Sequence, residues 1–139
     1  MAAYTPTASS VVPSAQAKYL SPRPAGAAID AGEPVYLDAN NVWQLSDADA
    51  AAPANRVDGI APASAAAGQP LAPVYDDPDF THGLATVAAG DVIVVGSTAG
   101  ALHPSSDLAS GWVPLIVGVA KSATKSQLKI INGTNAIPA

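Results

Sequence analysis

The chain carries a rough internal copy of itself, and this repeat limits the folds that the sequence can adopt. Ala31–Glu33 opens the first copy and Ala89–Asp91 opens the second, and the same order of apolar runs and turns follows each opening. The two opening glycines are 58 positions apart, and the glycines near the ends of the copies, Gly59 and Gly118, are 59 apart. Spacing kept this closely predicts one β domain that is built from two related halves.

The regular spacing of turn-forming residues predicts an all-β fold, a small β barrel or sandwich. Short Val, Ile, Leu and Tyr runs alternate with Gly, Asn, Pro and Asp at intervals of roughly 8 to 12 residues. We expect a β domain over residues 28–135, with pseudo-repeats over about 28–75 and 86–132 and a short tail over 136–139. Strands are predicted near residues 34–37, 42–45, 57–61, 69–74, 84–87, 91–95, 101–103, 113–120 and 127–131.

Three further segments are predicted to form a short helix or loops. One short helix is predicted over Asp47–Ala52, because Ser46 can cap it, acidic residues occupy its first turn, and Pro53 stops it. The tracts Ala61–Gly68 and Asp76–Asp79 are predicted to be loops. The carboxylates of the second tract could bind calcium, but the residue order of an EF-hand loop is missing and Pro78 interrupts the run, so no metal is expected there.

The supply of large apolar side chains is small for a domain of this size. The chain has 139 residues, of which 31 are alanine, and a buried alanine removes little apolar area from water. Glycine and proline together make up about 17% of the residues, which is below the roughly 25–30% typical of disordered chains. We therefore expect a folded domain that gains further burial from neighbouring chains.

Residues 1–27 are predicted to form an extended N-terminal arm. Four prolines in this stretch exclude a helix or a central strand. Val11, Val12 and the Lys18–Leu20 segment lie among them as apolar islands without an evident local partner, followed by Arg23. The arm is either a disordered tail or a segment that orders against another chain, and we favour the second. Deletion of residues 2–20 is then expected to leave the β domain folded.

Charge is divided unevenly along the chain. All 11 acidic residues lie between Asp30 and Asp107, whereas Lys121, Lys125 and Lys129 form a basic set near the C-terminus. An acidic run of this kind is most often a solvated surface. The alternative is that the basic ends contact an acidic partner. The low sequence pI of about 4.5 argues against nucleic acid as that partner.

Residues with catalytic potential are few. Cysteine is absent, and His82 and His103 lack the spacing of a metal-binding pair. No nucleophile elbow, phosphate-binding loop or dinucleotide fingerprint occurs. We therefore expect no catalytic residue, metal or cofactor. No apolar run approaches the roughly 18 residues that span a bilayer, and the N-terminus lacks signal-peptide features, so we expect synthesis in a cytoplasm and no membrane partner. Trp43 and Trp112 are expected in the core, or as anchors of an oligomer interface.

The order of these features resembles the small capsid decoration, or cement, proteins of tailed bacteriophages. The residues that carry the resemblance, over 28 to about 132, are Ala31–Leu37, Trp43, Gly59–Ala61, Gly68–Pro70, Ala89–Asp91, Gly100–Pro104, Gly111–Trp112 and Val117–Ala120. The resemblance implies a virion protein on the outer capsid surface that bridges subunits of the major capsid protein, commonly as a trimer at three-fold positions. Val11, Val12, Lys18, Tyr19, Leu20 and Arg23, together with the basic set, are then the expected capsid contacts.

A second resemblance leaves an alternative open. The Ala-Gly-acidic opening is also similar to cradle-loop β barrels, some of which are attached to enzymes that act on sugars. On that reading, the chain is a ligand-binding or catalytic barrel for a carbohydrate or another small molecule. His82, His103 and the Asp76–Asp79 tract would serve it.

Overall fold

A computed structural model describes residues 3–138. Over these residues the protein is all-β, as the sequence predicts, with a strongly curled sheet and no α-helix. The strands are β1 (Lys18–Tyr19), β2 (Arg23–Pro24), β3 (Pro34–Leu37), β4 (Trp43–Leu45), β5 (Gly59–Ile60), β6 (Pro70–Leu71), β7 (Val74–Thr81), β8 (Val92–Val95), β9 (Leu102–Pro104), β10 (Leu115–Ala120) and β11 (Lys125–Asn132). Single 3-10 turns cover Ala8–Ser10 and Ser105–Asp107. Within the described part of the chain, no helix is long and apolar enough to cross a membrane.

The main sheet contains the same three-stranded unit twice. Its strand order is β4-β3-β5-β7-β11-β10-β8-β9, with β1 added alongside β7. In the first unit Val35 on β3 lies opposite Leu45 on β4, and in the second Ile93 on β8 lies opposite Pro104 on β9. These pairs are offset by 58 and 59 positions, which matches the spacing of the sequence repeat. The two units are joined through the long central pair β7 and β11.

Two glycines, Gly59 and Gly118, occupy equivalent positions in these units, where a neighbouring strand approaches closely. A Cβ on Gly118 of β10 would lie 2.5 Å from the backbone oxygen of Gln127 on β11, and one on Gly59 of β5 would lie 2.8 Å from the Val74 oxygen on β7. Both distances are too short for any side chain. The glycines that define the repeat in the sequence therefore permit close approach of neighbouring strands.

The two ends of the sheet are brought together by loops. The Ala48 N–H, after β4, donates to the Gly96 carbonyl at 2.8 Å, and the Gly100 N–H donates to the Ser46 carbonyl at 2.9 Å. These bonds join the loop that follows β4 to the β8–β9 turn. They also explain why the helix predicted over Asp47–Ala52 is wrong, because the backbone there forms turns that bind distant partners.

The N-terminal arm lies along its own β domain. The Tyr4 N–H donates to Leu102 on edge strand β9 at 2.9 Å, and the Gly26 N–H donates to Trp43 on edge strand β4 at 2.8 Å. Between these points Val12 pairs with Thr81, β1 pairs with β7, and β2 pairs with β6. The arm thus crosses from one sheet edge to the other and supplies hydrogen-bond partners to both.

The arm also contributes to the core. The larger of the two apolar clusters contains Tyr4 and Val11 together with side chains from β7, β8, β10 and β11. The smaller cluster contains Ala25, just after β2, and Trp43. The sequence-based expectation that the apolar islands of the arm lack a local partner is therefore wrong for Val11, which is buried against its own domain.

Two further predictions of local structure are wrong. The Asp76–Asp79 tract lies within strand β7, because β11 and the arm provide partners on its edges. Pro78 is tolerated there because the register between β7 and β11 shifts at this point. No strand covers 84–87, where Leu84 forms only an isolated bridge with Pro6 of the arm.

Candidate functional site

An open groove of about 510 Å³ lies beside the arm, where β1 meets β7 and the end of β11 approaches the first half of the sheet. We call it the arm groove. Its apolar wall consists of Leu20, Leu37, Trp43, Val57, Tyr75 and Ile130. Its polar residues are Asp58, Asp76, Lys129 and Asn132. The groove is therefore largely apolar, with charges of both signs.

The polar residues are held by contacts that fix the groove's shape. The Asn132 side-chain amide accepts from the Val57 N–H at 2.8 Å and donates to the Val57 carbonyl at 2.7 Å. This pairing imitates a strand partner and closes the gap between β11 and the chain before β5. On the opposite wall, Arg56 donates to the Leu37 carbonyl at 2.7 Å and pairs with Asp58 at 3.2 Å. The charge of Asp58 is therefore balanced locally.

Several residues predicted for attachment meet at this groove. Lys18 and Lys129 both lie in register with Asp76, on either side of β7. Leu20 lines the groove directly, and the neighbouring Tyr19 is half exposed at 50%. Sequence reasoning assigned these residues to two separate sets, and the pairing of β1 and β11 with β7 brings them together.

The remaining arm residues differ in exposure. Val12 is 55% exposed, and Arg23 on β2 is also exposed. Val11 is only 8% exposed and packs in the larger core cluster. In this arrangement its side chain is occupied by its own core, and its role as a capsid contact stays a prediction.

The other two lysines of the basic set are paired with an acidic partner. Lys121 and Lys125 each bind Asp79 at 3.1 Å. Hydrogen bonds from Lys121 and then from Lys125 hold the pKa of Asp79 below its ordinary value. The basic set is therefore divided, since Lys129 borders the groove whereas these two lysines neutralise Asp79 beside it.

The tryptophans have different environments. Trp43 is 3% exposed, and its indole N–H donates to the Leu71 carbonyl at 2.9 Å. This burial fits the expected core position, and the alternative role as an interface anchor stays a prediction. Trp112 is half buried, packs on the larger cluster and contacts the His103 ring edge-to-face at a centroid distance of 5.3 Å. An interface role for Trp112 stays a prediction.

A buried carboxylate that sequence reasoning missed fastens the arm. Asp77 has no exposed surface. It accepts a hydrogen bond from the Ser14 N–H at 2.7 Å, a second from the Ser14 hydroxyl, and a third from the Asp79 N–H at 3.0 Å. The only sequence signal was an unusual Asp-Asp-Pro-Asp run, which we interpreted as a loop.

The two histidines lie in unlike surroundings. His82 is buried beneath the arm, where its Nδ1 accepts from the Leu84 N–H at 3.0 Å. His103 Nδ1 lies 2.8 Å from an Asp107 carboxylate oxygen in a largely buried pair on the second half of the sheet. Over residues 3–138, no group of three or more His, Cys, Asp or Glu side chains is arranged to hold a metal ion.

The fold and groove define a class of protein, an all-β domain with a curled sheet that is completed by its own N-terminal arm. No protein-family model and no curated protein sequence matches this chain.

Proposed function

We propose that this chain is a structural virion protein that binds the outer surface of an assembled phage capsid and bridges neighbouring shell subunits. The observation that carries the proposal is the arm groove. It is open, largely apolar, and lined by Leu20 of the arm, Tyr75 of β7 and Lys129 of β11. The half-exposed Tyr19 precedes Leu20 in the arm. Aromatic and aliphatic anchors within a polar rim are typical of surfaces that bind another protein.

The mechanism is the docking of an extended shell segment in the groove. Tyr75 and Tyr19, which are 38% and 50% exposed, lose apolar surface to that segment, and Lys18 and Lys129 pair with acidic residues on it. A protein that binds only the assembled shell stabilises that state by mass action. A homotrimer with three such grooves contacts several subunits of the major capsid protein at once, which increases its avidity.

The small-molecule alternative also uses this groove. A volume of about 510 Å³ is within the range of ligand pockets, and Tyr75 with Asp58 and Asp76 offers an aromatic surface and carboxylates. The tract that was expected to serve a ligand instead forms strand β7, with Asp77 and Asp79 committed to other partners. We therefore favour a protein segment as the occupant.

Replacing groove residues should weaken attachment to shells. We expect the double variant Tyr75→Ala, Lys129→Glu, in which both residues line the groove, to bind shells at least about tenfold more weakly than the unaltered chain, because an interface anchor is worth about 2 kcal/mol or more and about 1.4 kcal/mol corresponds to a tenfold change. The measurement is co-sedimentation with shells of the same phage that lack this chain. Val119→Ser is a matched control, because Val119 is 42% exposed on β10 and does not line the groove.

The outcomes of this experiment separate the two functions. Equal binding by the double variant and the control would exclude the groove as the attachment site. If no variant binds shells and a saccharide or other small ligand protects the groove tyrosines from modification, the small-molecule function replaces the structural one. Thermal unfolding of each variant checks that the domain stays folded.

A further inference from the structure

His82 lies directly under the first part of the arm. It follows β7, is 4% exposed, and its backbone N–H donates to the Thr124 carbonyl at 3.1 Å. The segment around it carries the arm, because the Thr7 N–H donates to the Gly83 carbonyl at 2.7 Å and the Ala85 N–H donates to the Thr5 carbonyl at 2.9 Å. The position of the imidazole therefore affects the docking of arm residues 4–12.

The hydrogen bonding of the ring requires a neutral imidazole. A backbone amide can only donate, so the 3.0 Å contact from the Leu84 N–H assigns His82 Nδ1 as an unprotonated acceptor. The ring proton then belongs to Nε2, which is buried and makes no well-formed hydrogen bond, although the Ser122 carbonyl lies close enough to raise the pKa of the ring. A second proton on Nδ1 would face the Leu84 N–H donor and break this bond.

The surroundings of the ring provide no ionisable partner for a positive charge. On the core side the cavity that adjoins His82 is lined by Phe80, Leu84, Ile93, Val117, Ser126 and Leu128. A second cavity adjoins His82 on the arm side, and its lining includes the hydroxyl-bearing Thr7, Ser10 and Thr124. Among the described residues, no other ionisable side chain lines either cavity. A buried charge without a partner is costly.

The close packing of the arm on this turn transmits any change. A Cβ on Gly83, whose φ is +66°, would lie 2.8 Å from the Thr7 carbonyl oxygen and 2.9 Å from a methyl group of Val11. The arm thus rests on the backbone of the turn that His82 and Leu84 hold. If this turn is altered, the Thr5, Thr7 and Val12 contacts have no place to form.

We propose that His82 is an acid-sensitive latch whose protonation releases arm residues 4–12 from the β domain while the Ser14–Asp77 attachment holds the rest of the arm. The release exposes Tyr4 and Val11 as apolar surface. This inference concerns the isolated chain and does not rest on capsid binding. If the latch fails, the groove proposal is unaffected.

The direction of the pH dependence follows from the pKa of the His82 ring. Burial lowers the pKa of His82 below its ordinary value, and the Ser122 carbonyl opposes this only in part. The released form takes up the proton more readily, so docking is complete above about pH 6.5 and weakens as the pH falls below it. Glu33, which lies beside Tyr4 and Pro6, acts in the opposite sense, because burial raises the pKa of its carboxyl.

The latch can be tested by amide hydrogen exchange on the full chain between about pH 8 and pH 5, the range in which histidine changes charge, with rates normalised to the intrinsic rate at each pH. We expect the Thr7, Val12 and Ala85 amides to lose protection by up to about tenfold per pH unit below 6.5, while β8 and β10 amides keep theirs. The variant His82→Asn keeps an acceptor for the Leu84 N–H and cannot be protonated. It should stay docked throughout, whereas His103→Asn should respond as the unaltered chain does.

Three other outcomes of the exchange experiment would contradict the latch. Arm protection that is independent of pH would make His82 a structural residue only. A loss of protection in His82→Asn would assign the effect to other groups, and a simultaneous loss in β8 and β10 would be global unfolding.

If His82→Asn does not fold, nitrogen NMR of the His82 ring in the unaltered chain decides. An unprotonated Nδ1 that titrates together with arm release supports the latch, and a protonated Nδ1 at neutral pH contradicts it.

Discussion

A chain that lacks residues 2–17 should fail to fold cooperatively. The deletion removes Ser14 and leaves the buried Asp77 carboxylate without two of its three hydrogen bonds, at roughly 1.5–3 kcal/mol for each bond to a charged group. It also removes the buried Tyr4 and Val11, at about 1.5–3 kcal/mol for an apolar side chain of this size. Together these losses are comparable with the 5–15 kcal/mol stability of an ordinary domain. This result would reverse the expectation from sequence that the β domain folds without residues 2–20.

The measurement is chemical unfolding followed by far-UV circular dichroism and tryptophan fluorescence. A synthetic peptide of residues 2–17 added in trans should restore a cooperative transition, because the arm binds through hydrogen bonds along its length. A double replacement of the exposed Ser9 and Gln16 by alanine is the control for altering the arm without removing its contacts, and it should unfold like the unaltered chain. A deleted chain with a midpoint close to that of the full chain would mean that the arm is only a peripheral tail.

Replacing Asp77 alone should have the second largest effect on stability. Asp77→Ala leaves the Ser14 N–H and hydroxyl and the Asp79 N–H without their acceptor. We expect a loss of roughly 3–5 kcal/mol in the free energy of unfolding, since several charge-assisted hydrogen bonds disappear at one buried site. Asp77→Asn keeps the shape and one acceptor oxygen, and it should lose less.

Two comparisons make this result specific. Asp76→Ala, at the half-buried neighbouring position, should change stability by no more than about 0.5 kcal/mol. A double-mutant cycle with Ser14→Ala should give a coupling energy of about 1–3 kcal/mol, because the two residues share the bonds that are broken. Independent, additive effects would place the role of Asp77 within β7 and not in holding the arm.

The curled two-part sheet could be predicted because its signals are local. The offsets of 58 and 59 residues between equivalent glycines are those of the paired residues in the sheet. The outward alternation of Gln127, Lys129 and Ile131 on β11 also follows from the period of a strand. These features depend on residues whose neighbours in sequence determine their conformation.

The parts that could not be predicted depend on distant contacts. Nothing near Asp77 in sequence indicates that Ser14, 63 positions away, will satisfy it. The helix predicted at Asp47 is lost because Ala48 binds the Gly96 carbonyl, which local propensity does not register. The candidate site was predicted only in pieces, since Lys18 and Lys129 become neighbours through β7 alone.

The proposed capsid attachment is tested most directly by an electron cryomicroscopy map of the virions with which this chain is proposed to assemble. We expect density for the β domain on the outer surface at three-fold positions, with a shell segment in the groove beside Leu20 and Tyr75. Virions without this density, or a bound domain whose arm groove faces solvent, would contradict the proposed function.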